Sequence, residues 1–90
     1  MKSFVTPAFR EALRRLPKPV QRQARDAYRI FAVAPGHPGL RLKKVRDDPV
    51  VVSVRITRGY RALGVRQADE ITWFWIGSHA DYDRLLAKGT

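Results

Sequence analysis

Residues 53–86 read SVRITRGYRALGVRQADEITWFWIGSHADYDRLL. Side chains alternate with period two before and after Thr57-Arg58-Gly59-Tyr60, the pattern of two strands joined by a tight turn. Gly59 is expected to supply a positive φ there. Arg61 to Arg66 is the return strand, and Gln67-Ala68-Asp69 turns the chain again. Glu70 to Ile76 is a further strand, with Thr72, Trp73, Phe74, Trp75 and Ile76 at high β-propensity. Simple alternation places Trp73 and Trp75 on one face, where packing against a helical layer is favoured over stacking on bases. Gly77-Ser78 ends the strand. Ser78 then caps a helix from His79 to about Ala87, with Asp81 completing a capping-box-like pair. Arg55 and Arg61 lie inside strands, where burial favours apolar residues, so one sheet face is expected to carry polar work.

Upstream, Val50, Val52, Val54 and Ile56 alternate with Val51, Ser53, Arg55 and Thr57 along one strand. Asp47-Asp48-Pro49 turns the chain into it from a basic strand, Leu40 to Arg46. Pro35-Gly36-His37-Pro38-Gly39 is a loop on composition, which makes His37 a loop residue. Before it the period is helical. Thr6 is an N-cap with Pro7 at the first helical position, and Phe9, Ala12, Leu13 and Leu16 follow on one face. Pro17-Lys18-Pro19 interrupts that helix. A second helix carries Val20, Ala24, Ala27, Tyr28 and Phe31 on one side and Arg22, Arg25 and Arg29 on the other. Lys2 to Val5 is a short opening strand. The pattern predicts an α+β fold: an N-terminal helical hairpin packed on a small antiparallel β-sheet, with a short C-terminal helix. The sheet face away from the hairpin is expected to be at least partly exposed.

The 90 residues make one domain, 1–90. A chain of this size buries only roughly 60–65% of its unfolded surface. It has no cysteine, which excludes disulfides and thiolate metal sites, and two histidines do not make a zinc cage. MKSFVTPAF has no apolar signal core, and no run approaches the roughly 20 apolar residues of a membrane span. A cytoplasmic protein without cofactor or membrane is therefore expected. The net charge is +10, and residues 1–46 hold all of that excess, with twelve Lys/Arg against Glu11 and Asp26. Such a field attracts nucleic acid or ribosome surfaces, or an acidic protein partner.

SVRITRGYRALGV followed by WFWIGSHADYDRLL resembles the core of the RelE/ParE superfamily of toxins from type II toxin–antitoxin systems. The element order is similar, and the resemblance covers nearly the whole chain. It implies one of two activities. RelE-like members are metal-independent endoribonucleases that cut messenger RNA in the ribosomal decoding site, using the 2′-hydroxyl against the neighbouring phosphate. ParE-like members poison DNA gyrase. A non-catalytic nucleic-acid or antitoxin-binding module of the same fold is the third alternative. The resemblance also implies a cognate antitoxin as partner and, for the ribonuclease, the ribosome and mRNA.

Transesterification needs a proton acceptor, a proton donor and cations for the phosphorane-like transition state. Arg61, in GYRAL, matches the family position of an active-site arginine and is the candidate phosphate clamp. Arg55 on the facing strand is its candidate companion, with an ion pair to Asp47 or Asp48 as the structural alternative. His79 and Tyr82 occupy the place of the family's acid/base groups. Their alternatives are an exposed helix-start residue and a packing residue over Trp75. Asp81 is expected to cap and Asp83 to be solvated. Lys43, Lys44 and Arg46 are candidate RNA contacts, although Lys43 and Lys44 cannot share a face.

Overall fold

A computed structural model describes residues 1–88. Gly89 and Thr90, the end of the expected 1–90 domain, lie outside the described residues. The elements are β1 (Lys2–Val5), α1 (Pro7–Arg14), α2 (Lys18–Val33), a 3-10 turn (Pro38–Leu40), β2 (Lys43–Asp47), β3 (Val50–Thr57), β4 (Tyr60–Gln67), β5 (Glu70–Ser78) and α3 (His79–Lys88). Thr6 caps α1 by accepting from the Phe9 N–H at 3.0 Å. Gln21 is buried because its amide closes the end of α1, donating to the Arg14 and Leu16 carbonyls at 3.2 and 2.8 Å.

One five-stranded sheet has the order β1-β5-β4-β3-β2. Neighbours from β2 to β5 pair antiparallel, as expected. β1 pairs parallel with β5, so the sheet is mixed at that edge. α1 packs over β5 and α2 over β3, so the helical hairpin covers one face of the sheet, as expected. The core beneath them includes Phe9, Ala24, Phe31, Val52, Val54 and Trp73. Phe31 and Trp73 meet edge to face, centroids 5.2 Å apart. Gly64 lets Trp73 and Ile71 lie on the sheet: a Cβ there would come within 2.8 Å of Trp73 Cε3.

The second face is less open than expected. α3 folds onto it, and Tyr82 and Leu86 join Val51, Leu63, Val45 and Trp75 in a separate, smaller core. Two bulges build this face. At β5, Leu63 pairs with Trp75 and Gly64 with Trp73, which leaves Phe74 as the inserted residue. Trp73 therefore belongs to the helix-side core and Trp75 to the α3 side, correcting the expectation of one shared face. At β2, Val45 is inserted between Lys44 and Arg46.

Two local expectations also change. Leu40 closes the 3-10 turn and is buried, while Arg41 adopts a left-handed conformation (φ 47°), so the basic strand starts only at Lys43. Here His37 Nδ1 accepts from the Gly39 N–H at 3.0 Å. The β3–β4 turn has no positive-φ glycine. Thr57 Oγ1 instead accepts from the Gly59 N–H at 3.1 Å, and a register shift between Arg55 and Thr57 turns the chain. Positive φ occurs in the next turn, at Ala68 (55°).

Candidate nucleic-acid interface

Arg55 and Arg61 are direct cross-strand partners in β3 and β4. Both flank Ser53 and Leu63 at period two, which puts them on the α3 side of the sheet. Like charges directly opposed in a sheet repel. Among the described residues neither arginine has a carboxylate partner. The alternative ion pair of Arg55 with Asp47 does not form: Asp47 is taken by Lys44, Nζ to Oδ1 2.7 Å. That hydrogen bond, and the Lys44 charge, hold the Asp47 carboxyl below its ordinary range.

The Arg61 side chain turns back over the hairpin tip. Its Nη1 donates to the Thr57, Tyr60 and Arg58 carbonyls at 2.7, 3.0 and 3.3 Å. All three contacts use one nitrogen. Among the described residues Nε and Nη2 make no hydrogen bond, so that edge keeps the paired donors that fit two phosphate oxygens.

The inserted Val45 decides which basic residues of β2 join them. Lys43 pairs with Ser53 and Arg46 with Val51, both on the α3 side, whereas Lys44 pairs with Val52 on the helix side. Without the bulge Arg46 would fall with Lys44. Lys43, Arg46, Arg55 and Arg61 thus share one face, and Lys44 is separated from them.

α3 starts at the edge of this face. The His79 N–H donates to the Gly59 carbonyl at 2.8 Å, which moors the helix on the hairpin tip beside Arg58. Arg58 is exposed there, a cation that alternation does not single out because it lies in the turn. Ser78 caps the helix, accepting from the Asp81 N–H at 3.1 Å, as expected. The Asp81 side chain pairs with Arg84 and not back to the cap. His79 is 47% exposed at its side chain, with Nδ1 3.1 Å from Asp83 Oδ2. Its ring meets Tyr82 edge-on, centroids 6.0 Å apart.

Tyr82 lies where the alternative reading put it. It is 5% exposed, tilted against Trp75 at 6.4 Å, and its hydroxyl donates to Ser53 Oγ at 3.2 Å. Gly77 makes this possible: a Cβ there would come within 2.7 Å of Trp75 Cζ2, so the indole lies back over bare backbone. The geometry gives Tyr82 a packing contact and a satisfied hydroxyl where the resemblance implies a proton-transfer group. Among the described residues no group of three His, Asp or Glu side chains is placed to hold a metal ion.

The model of the ParE-like toxin domain matches residues 18–84, most of the chain. The chain belongs to the ParE-like toxin domain family. Its fold is similar to a chain of the archaeal RelE–RelB complex from Pyrococcus horikoshii, with TM-score 0.72, 17% identity, and coverage of 86% of this chain and 92% of that one. It is also similar to a YoeB/ParE toxin from Agrobacterium tumefaciens, with TM-score 0.68, 16% identity, and coverage of 88% and 99%. A conserved hypothetical protein from Helicobacter pylori gives TM-score 0.64 at 16% identity, covering 89% and 96%. No curated protein matches the sequence.

The ParE-like domain has a second surface on the helix side. A groove of about 480 Å³ runs between α1 and α2, with Phe9, Val54, Ile56 and Trp73 among its lining residues. Arg10, Arg14, Arg25 and Arg29 also line it, so the stripe expected to face away from the hairpin partly borders this groove. Trp73 Nε1 is buried there without a partner. No described helix is long and apolar enough to cross a membrane.

Proposed function

We propose that this ParE-like domain is the toxin of a toxin–antitoxin pair, and that it acts in the cytoplasm by cutting messenger RNA on the ribosome. The observation that carries this reading is the Arg55–Arg61 pair: two opposed cations with no carboxylate among the described residues to neutralise them, beside an exposed histidine. Such a pair is relieved by an anion that both can reach, and a backbone phosphate is that anion. Arg61, and Arg55 beside it, stabilise charge on the pentavalent phosphate. Lys43 and Arg46 hold the RNA backbone alongside, and His79 moves the proton. Lys44, paired with Asp47 on the other face, contributes only to the general field.

The antitoxin is proposed to dock in the α1–α2 groove as an amphipathic acidic helix. An apolar floor beside four arginines fits that chemistry, and a solved structure of this fold is a complex of RelE with RelB.

Expression of the chain in bacteria with mapping of message 5′ ends tests the activity. Cuts in phase with codons are expected. DNA damage signalling with intact messages would favour gyrase poisoning instead, and no effect on growth would favour a non-catalytic binding module.

Tyr82→Phe separates packing from catalysis. It removes only the buried hydroxyl and is expected to cost about 1 kcal/mol of stability, read from a urea midpoint. Cleavage per folded molecule should stay within about 3-fold, since a satisfied, buried hydroxyl has little to give to proton transfer. A large loss of cleavage at unchanged stability would return Tyr82 to the chemistry.

A further inference from the structure

Two contacts hold the His79 imidazole on a backbone tied to the hairpin tip, and together they leave one ring nitrogen uncommitted. The backbone N–H is tied to Gly59, the ring stands edge-on against buried Tyr82, and Nδ1 lies 3.1 Å from Asp83 Oδ2. A carboxylate only accepts, so its charge 3.1 Å from Nδ1 favours the neutral tautomer that carries the proton on that nitrogen. Nε2 then carries the lone pair. Among the described residues Nε2 has no partner. The other charged side chains on the first turns of α3, Asp81 and Arg84, are paired with each other.

We propose that Asp83 is the positioning residue for His79, holding the ring with Nδ1 protonated and Nε2 bare, on the helix start moored to the β3–β4 hairpin tip. This rests on the ribonuclease reading for its catalytic consequence. Nε2 takes the proton of the RNA 2′-hydroxyl as the 2′-oxygen bonds to the adjacent phosphorus. The bond from phosphorus to the 5′-oxygen breaks, and that oxygen leaves with a proton from solvent water. The products are a 2′,3′-cyclic phosphate and a 5′-hydroxyl, and His79 returns its proton to water. Nothing is oxidised or reduced. Asp83 touches no reacting atom. Its part is to select the tautomer, as a carboxylate behind an imidazole does in hydrolase triads.

The tautomer is measurable without any substrate. An unrestrained neutral imidazole favours protonation on Nε2, so the proposed arrangement is opposite to the default. Ring nitrogen shifts of His79 in the 15N-labelled full chain, above the pH at which the ring titrates, should show Nδ1 protonated and Nε2 bare. Asp83→Ala should shift the population toward the Nε2-protonated form, and Asp83→Glu, which keeps an acceptor, should hold the wild-type pattern. Asp83→Ala should also lower cleavage about 10- to 100-fold, at or below the roughly 10²–10⁴ range of a full acid–base group. Because Asp83 is exposed on a helix, the alanine variant is expected to fold. A wild-type ring already protonated on Nε2, or a tautomer that Asp83→Ala leaves unchanged, would overturn the proposal. A wild-type chain that cuts no message while its tautomer does shift would sink the ribonuclease reading and leave the positioning by Asp83 standing.

Discussion

Phe31→Ala is expected to remove about 3–5 kcal/mol of folding stability, the cost of truncating a fully buried aromatic. A domain has only roughly 5–15 kcal/mol in total, and one this small sits toward the lower end. Phe31 is 3% exposed and packs edge-on against Trp73, so it joins α2 to the sheet at the centre of the main core. The neighbouring α1 rests on β5 and offers little to fill the void, because a groove separates the two helices. No disulfide constrains the unfolded chain. A urea titration by circular dichroism should show the midpoint falling most of the way to zero. Val33→Ala, at a site 85% exposed on the same helix, should leave it within about 0.5 kcal/mol. A loss below about 1 kcal/mol for Phe31→Ala would mean that the Phe31–Trp73 contact does not hold the layers together.

Arg61→Ala is expected to lower cleavage about 10²–10³-fold, the scale of removing one positioned donor from a transition state. The change also frees the Thr57, Arg58 and Tyr60 carbonyls at the hairpin tip. Those groups lie at or near the surface, where water can replace the guanidinium, so only about 1 kcal/mol of stability should go with it. Arg61→Lys keeps the charge but not the two parallel donors, and should recover only part of the rate. Antitoxin binding should survive both changes, because the proposed docking groove lies across the sheet from Arg61. Full toxicity of Arg61→Ala would place the phosphate site elsewhere, with Arg58 at the hairpin tip the next candidate.

The strands and helices were legible because each depends on neighbours a few residues apart. Thr6-Pro7 capped α1 as expected, Val50 to Arg55 alternated as read, and Ser78 capped α3. The parallel pairing of β1 with β5 was not legible. It depends on where two helices carry the chain, and no local residue records that distance. The bulges were equally hidden. Phe74 and Val45 look like ordinary strand residues, and nothing in their side chains announces an unpaired position. Yet an inserted residue reverses the facing of everything beyond it, and so the sequence pattern mistook the relation of Trp73 to Trp75.

The candidate site shows the same division. Its residue types were readable: arginines in strands, a histidine at a helix start, a basic strand ahead of a hairpin. Their grouping was not. Arg46 reaches the Arg55–Arg61 face only because Val45 bulges, Lys44 leaves it by pairing with Asp47, and Tyr82 is buried because α3 folds onto the second face. Asp83 is solvated, as read, and one helix turn also sets its carboxylate 3.1 Å from His79 Nδ1.

By itself, then, the sequence determined the α+β class, most element boundaries, the unequal charge and the kinds of side chain available for phosphate chemistry. Periodicity, capping and composition are local or additive, and a one-dimensional string carries them. Only the tertiary structure decided which cations face one another and which aromatic ring is withdrawn from solvent. Those outcomes turn on strand register and helix docking, which are set by long-range packing and not by any residue alone.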